Sequence, residues 1–255
     1  MTEQRFSFDA WAQDYDAYRP GYPAALFTDL VNIGALDRPI LEIGCGTGKA
    51  TEGLAQLGRP LIAIDPGAAM LEQAQMRVGD APVRFVHSTF EDWTPEGGPF
   101  GLISCAQAWH WVDPQIGFAK AAALLADGGV LAVFGNEDVE VPAVIRPAFD
   151  ALRARMQQAP GVRYGGGVYQ PGKLMDQLLR AAPQFDPPNH RVYERAITYT
   201  PDSYTRLNAT YSDVQTQPAE LRAELLSELH AALSALGASF EVKVETHLYW
   251  MRPRA

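Results

Sequence analysis

Ile40-Leu41-Glu42-Ile43-Gly44-Cys45-Gly46-Thr47-Gly48 runs from a short apolar stretch into three glycines at alternate positions, and a second apolar stretch, Leu61 to Ile64, ends at Asp65. Glycine admits positive φ and carries no Cβ, so this bend can turn sharply and press its backbone against a ligand. The helix expected after it points free N–H groups at the same place. A carboxylate at the mouth of the neighbouring strand accepts hydrogen bonds from both hydroxyls of a ribose. Together the two elements describe a nucleoside pocket.

Two nucleoside cofactors compete for it. A dinucleotide fingerprint needs its third glycine one position after Gly48, where this chain has Lys49. The spacing Gly44-x-Gly46-x-Gly48 behind Glu42 resembles instead the cofactor loop of class I S-adenosylmethionine-dependent methyltransferases, whose ligand has a zwitterionic methionine tail in place of a pyrophosphate. A carboxylate inside a buried strand is costly unless paired. Glu42 therefore either meets a ligand ammonium or braces the glycine turn. Cys45, inside the loop, counts with the cofactor contacts as a small filler rather than a nucleophile.

The rest of the first half alternates as a parallel sheet demands. Gly67 to Val78 reads as a helix, Val83 to Val86 and Leu102 to Cys105 as strands, Pro114 to Leu125 as a helix and Val130 to Phe134 as a strand. Short, continuously apolar strands are covered by helices on both faces, and the ligand crevice lies beyond their carboxyl ends. Gly44, Asp65, Phe90 and Gln107 converge on that edge. Pro66, Met70 and Leu71 provide an apolar shelf for an adenine, with Phe90 as the opposite wall. Thr89, Phe90 and Glu91, with Asp92, bring a backbone N–H and carboxylates to where the adenine amino group would lie; the acids equally open a helical turn.

From Glu140 the alternation breaks, and residues 140–188, with Gly165, Gly166 and Gly167 among them, read as a lid-like insertion. A strand follows over Arg191 to Thr198, then helices over Pro201 to Tyr211 and Pro218 to Leu236. Alternating Phe240, Val242, Val244, Thr246, Leu248 and Trp250 predict a half-buried, antiparallel closing strand. The expected fold is α/β, a Rossmann-like three-layer sandwich with a mostly parallel sheet closed by an antiparallel C-terminal strand. One domain spans 1–255, with residues 1–23 covering the cofactor.

Ser104-Cys-Ala-Gln-Ala-Trp-His-Trp-Val-Asp-Pro114 resembles the segment after the fourth strand of type-11 methyltransferases and their trans-aconitate-type relatives, as does Tyr15-Asp-Ala-Tyr18-Arg19-Pro20-Gly-Tyr22-Pro23. The resemblance implies S-adenosyl-L-methionine as cofactor and S-adenosyl-L-homocysteine as product. Gly44, Gly46, Gly48, Asp65, Phe90 and Ala106 are then cofactor contacts, joined by Tyr18 and Gln107, and Arg19 partners the methionine carboxylate. Tyr15, Trp109 and Trp111 are candidate walls of the acceptor site, and Tyr169 a further contact from the lid. His110 has the intrinsic pKa of a general base for a hydroxyl or amine acceptor, whereas a carboxylate acceptor needs none. Its other reading is a hydrogen-bonded wall residue between two tryptophans.

The chain has 255 residues, 47% of them hydrophobic, and a formal charge of −9, which fits a core-forming enzyme and disfavours nucleic acid as main substrate. Two cysteines, Cys45 and Cys105, make no paired or zinc-like framework, so a reducing, cytoplasmic setting is expected. No metal site and no membrane segment are expected, and His190, His230 and His247 read as scattered. The acceptor is expected to be a small molecule, with O-methylation of a carboxylate or hydroxyl favoured. An NAD-dependent oxidoreductase and a non-catalytic cofactor-binding module are the rivals; monomer and homodimer stay open. Tyr169 to Lys173 spells Tyr-x-x-x-Lys, but Pro171 and Gly172 between them oppose the regular helix that would join the two side chains.

Overall fold

A computed structural model of the chain describes residues 12–34, 37–140, 142–147, 150–151, 154–155, 171–215 and 217–254. Two helices, α1 (Ala12–Tyr18) and α2 (Ala24–Ile33), precede a seven-stranded sheet, and α3 (Thr51–Ala55), α4 (Ala68–Val78) and α5 (Pro114–Leu124) connect its strands. Its strands are β1 (Ile40–Ile43), β2 (Leu61–Asp65), β3 (Val83–His87), β4 (Phe100–Ala106), β5 (Leu125–Glu140), β6 (Asn189–Tyr199) and β7 (Phe240–Met251). The spatial order is β3-β2-β1-β4-β5-β7-β6. β1 to β5 pair in parallel, and β7 lies antiparallel between β5 and β6. The C-terminal strand thus enters the sheet one place from its edge, and β6 forms the edge. A dinucleotide-binding sheet ordered 3-2-1-4-5-6 has no such inserted strand.

β1 and β2 are buried along their whole length, as strands covered on both faces must be. β7 instead alternates, with Phe240, Val242, Val244, Thr246 and Leu248 turned inward. One face of the sheet packs Leu41, Ile43 and Ile103 with Phe118 of α5 (Pro114–Leu124). The other packs Leu26 and Leu30 of α2 on Ile40, Leu102 and Phe134. A third cluster joins Tyr199, Tyr204, Leu229 and Val242 beneath the helices Pro201–Ala209 and Ala219–Ser234. Burying each such large side chain stabilises the fold by roughly 1.5–3 kcal/mol.

The lid expected over 140–188 divides. Residues 156–170, including Tyr169, lie outside the described residues. The helix Pro171–Arg180 and the turn after it bury Leu179, Ala182 and Phe185 in the core beside Phe118 and Tyr249, so this part is integral to the helical layer rather than a cover. Among the described residues no helix is long and apolar enough to cross a membrane. His190 Nε2 lies 3.0 Å from His247 Nδ1, with its ring stacked on Tyr249, so of the three histidines read as scattered two form a pair.

Candidate active site

The glycine bend is tied to β2 before it meets any ligand. The N–H groups of Gly44 and Cys45 both donate to the Ile64 carbonyl, at 2.8 and 3.1 Å. Asp65 completes the tie: Oδ2 accepts from the Gly46 N–H and Oδ1 from the Gly67 N–H, each at 2.8 Å. All three glycines have positive φ, and the surroundings of an added Cβ would differ at each. A Cβ at Gly44 would lie 2.4 Å from Ala108 Cβ, and one at Gly48 would lie 2.9 Å from Ala74 Cα on α4 (Ala68–Val78). At Gly46 a Cβ would meet nothing within 4 Å, because that side is open cleft.

The cleft has a volume of about 110 Å³. Gly44, Gly46, Asp65, Pro66 and Met70 line it from the β1 and β2 side. Thr89, Phe90 and Glu91 line it from the end of β3, and Ala106 and Gln107 from the end of β4. Tyr15 and Trp111 complete the wall. Phe90 and Met70 are buried, so an apolar shelf and its opposing face are both present. Gln107 holds φ +53, an uncommon conformation for a residue with a side chain, fixed by its N–H to the Phe134 carbonyl at 2.8 Å.

Other expected contacts lie elsewhere. Gly48 packs against α4, so it serves the close approach of elements rather than the ligand. The Cys45 side chain is buried with Ala63 and Leu71, and burial pushes its thiol well above the ordinary range. Glu42 is fully buried beneath the loop and is absent from the cleft wall. Burial raises its pKa to about 8 against the lowering effect of the Thr51 hydroxyl, and the Asp65 carboxylate raises it further. Neither Glu42 oxygen has a partner at hydrogen-bonding geometry, so Thr51 acts here through proximity rather than through a formed bond. Burial thus favours the protonated form of Glu42 in the ligand-free chain, and neither oxygen braces the loop through a hydrogen bond.

Arg19 also departs from expectation. Its Nε donates to Thr210 Oγ1 at 2.8 Å, a second nitrogen donates to the Thr210 carbonyl at 3.1 Å, and the guanidinium sits 4.0 Å from the Tyr211 ring centre. Tyr18 packs against the third core cluster under Arg206. Neither lines the cleft.

Trp109, His110 and Trp111 form a single 3-10 turn, whose three residues per turn send neighbouring side chains in three directions. Trp109 is 1% exposed, packed between Phe90 and Phe118. It is a core residue and not an acceptor wall; only Trp111 reaches the cleft. His110 is exposed as a residue, lies tilted against Trp111 and stands outside the cleft wall. Desolvation by the atoms around its ring lowers its pKa to about 4, even though the residue as a whole is exposed.

Two positioning residues were missed in the sequence. Lys120 of α5 donates to the carbonyls of Phe90, Glu91 and Trp93 at 2.7, 3.1 and 2.5 Å, which fixes the turn that forms the Phe90 wall. Asn136 on β5 binds the segment after α1. Neither belongs to a motif; the only signal for Asn136 is a polar residue at an inward position of a strand.

Comparisons with known proteins agree with this geometry. Residues 40–129 match a family model described as a methyltransferase domain. The chain is 27% identical over 232 residues to the uncharacterized methyltransferase Rv3342 of Mycobacterium tuberculosis, covering 91% of this chain and 87% of that one. It is 33% identical over 165 residues to a trans-aconitate 2-methyltransferase of Afipia carboxidovorans, covering 63% of each. A solved structure from Anaeromyxobacter dehalogenans, provisionally assigned as a type II methyltransferase, superposes with a TM-score of 0.67 at 24% identity, over 93% of this chain and 100% of that one.

Sheet order, glycine loop and the match over residues 40–129 are those of class I methyltransferases. The chain is a methyltransferase enzyme with S-adenosylmethionine as its cofactor.

Proposed function

We propose that the enzyme transfers a methyl group to a small-molecule acceptor, and that the acceptor oxygen is a carboxylate or a hydroxyl. The observation that carries this is the cleft wall: loop glycine, carboxylate, apolar shelf and Gln107 turn at one sheet edge, with Tyr15 and Trp111 at its side. An enclosed wall of this kind suits a small ligand better than a polymer groove. The trans-aconitate 2-methyltransferase relative supports an acid as acceptor.

When bound, S-adenosylmethionine supplies a methyl group already activated on a sulfonium. The chain's own work is placement and exclusion of water. Gly46 would give open backbone to the methionine tail, and Asp65, already holding the Gly46 N–H, would receive the ribose hydroxyls on its outer lone pairs. Met70 and Phe90 would enclose the adenine, and Glu91 would accept a hydrogen bond from its amino group. Tyr15 and Trp111 border the acceptor, their faces tolerant of the cationic centre. With His110 outside the wall, the site suits an acceptor that arrives anionic and loses no proton.

Calorimetry tests the first half of the reading: S-adenosylhomocysteine binds at micromolar concentration and NAD does not. A screen of metabolite acids, phenols and amines with methyl-labelled donor tests the second. Tight NAD binding without a response to S-adenosylhomocysteine reverses it, and donor binding without label transfer to any acceptor points to a binding module.

A further inference from the structure

Asn136 sits at an inward position of β5, opposite Thr246 of β7, and its side chain uses every hydrogen-bonding capacity an amide has. Nδ2 donates to the carbonyls of Pro20 and Gly21 at 3.2 and 3.1 Å. Oδ1 accepts from Arg195 at 3.0 Å and from Thr246 Oγ1 at 2.6 Å. The reverse orientation of the amide would set Oδ1 against two carbonyls and Nδ2 against a guanidinium, so the network fixes it. Arg195 of β6 also donates to the Gly21 carbonyl, which adds a second strand to the same grip. The Asn136 backbone carbonyl accepts from Gln107 Nε2 at 3.3 Å, and Gln107 Oε1 accepts from Tyr22 at 3.2 Å. One residue therefore joins the segment after α1 to the lip of the cleft.

The same segment is pinned at its other end. Lys49, in the position where a dinucleotide loop has glycine, donates to the Asp16 carbonyl at 2.7 Å, and Arg77 pairs with the Asp16 carboxylate. Tyr15, beside that pin, lines the cleft. Fastened at residues 16 and 20–21, the segment borders the cleft as a strap, with Tyr15 in the wall at one end and Tyr22 on the wall residue Gln107 at the other. The protein supplies both fastenings, so the strap has its seat before any donor binds.

We propose that Asn136, with Arg195, is a positioning residue that holds this strap closed over the donor and so sets how fast donor and product leave. The proposal rests on the reading of the cleft as the donor site. It also gives β6 a function: it brings Arg195 to the Asn136 amide and to the Gly21 carbonyl. Release steps of this kind set turnover in many enzymes with closing segments.

Surface plasmon resonance with S-adenosylhomocysteine on the full chain tests it. Asn136→Asp keeps the shape but replaces the donors that hold Pro20 and Gly21 with a repelling oxygen. The dissociation rate should rise about tenfold or more, with the association rate changed less than about threefold, and KM for the donor should rise while kcat is kept or increased. Thr246→Val removes a bond to Asn136 that does not touch the strap, and should change the dissociation rate less than about twofold. Arg195→Lys, a milder change, should give an intermediate rate. An unchanged dissociation rate in folded Asn136→Asp, or an equal effect from Thr246→Val, overturns the proposal. Wild-type protein that fails to bind S-adenosylhomocysteine refutes the donor site itself, and the proposal with it.

Discussion

Asp65 Oδ2 accepts the Gly46 N–H at 2.8 Å while Oδ1 accepts the Gly67 N–H, so one carboxylate sets the spacing between the glycine bend and the start of α4. The side chain therefore shapes the cleft as well as facing it. Removing it leaves a buried N–H at Gly67 and a half-buried one at Gly46 short of a partner, at a cost of about 1–3 kcal/mol where water does not replace it. Asp65→Ala should lose S-adenosylhomocysteine affinity by a hundredfold or more, roughly 3 kcal/mol, and also lower the melting temperature. Gly46→Ala separates the two effects. Its Cβ meets nothing in the fold, and the left-handed φ of +54 costs about 1–2 kcal/mol. It should melt within a few degrees of wild type yet bind the donor poorly. Equal donor affinity in Gly46→Ala and wild type would remove the loop from the site.

Lys120 supports the opposite wall. Its ammonium is held by three carbonyls of the turn Phe90 to Trp93, above the rings of Phe90 and Trp93 at 5.2 and 5.9 Å. Burial lowers its pKa, and the nearby Asp92 and Glu91 oppose that shift. Lys120→Met should cost about 1.5–3 kcal/mol of stability, the range for hydrogen bonds to a charged group. It should also weaken adenosine and S-adenosylhomocysteine by the same factor, about tenfold, because the shared adenine wall is what moves. If S-adenosylhomocysteine weakens while adenosine is unaffected, Lys120 does not act through that wall.

These two walls differ in how much of them the sequence revealed. The glycine bend, Asp65 and the strand pattern are local: each depends on residues within one βαβ unit, whose spacing fixes where they fall. The longer contacts leave no local trace. Asn136 meets Pro20 across 116 positions, and Arg19 meets Thr210 across 191. In Trp109-His110-Trp111 the composition suggested a continuous aromatic wall. The 3-10 turn there gives one ring to the core, one to the surface and one to the cleft. Gly48 was read as a ligand contact because alternate glycines look equivalent, and only the position of Ala74 distinguishes it. The place of β7, inside the sheet rather than at its edge, also escaped the sequence, since burial alternation does not say which neighbours a strand has.

Glu42 makes stability depend on pH. Its folded pKa is raised to about 8 by burial, above the ordinary 4.5, so the unfolded chain releases this proton first as pH rises. Glu42's contribution is fully present below about 4.5, falls through the window from 4.5 to 8 and is level above it, with a slope of up to about 1.4 kcal/mol per pH unit. Glu42→Gln carries no proton to lose. Urea denaturation of the ligand-free protein across that window should show wild type losing stability relative to Glu42→Gln as pH increases. Parallel curves would mean that Glu42 is ionised in the folded chain, and an ion pair with the bound donor would then be restored as its role.

His110 offers the sharpest test of the chemistry. A general base must sit within hydrogen-bonding reach of the proton it removes, and it works best with a pKa near the operating pH. This imidazole lies outside the cleft wall, and its pKa is lowered to about 4 by desolvation. Above that value it is neutral in the folded chain, so it adds no titration between pH 5 and 8. His110→Gln should keep kcat within about threefold of wild type and leave the pH profile of kcat/KM unchanged in shape over that range. A hundredfold fall in kcat, with loss of an inflection present in wild type, would show that the ring turns into the cleft during turnover. The acceptor would then be a hydroxyl or amine whose proton must be taken, since a carboxylate attacks through a lone pair it already has.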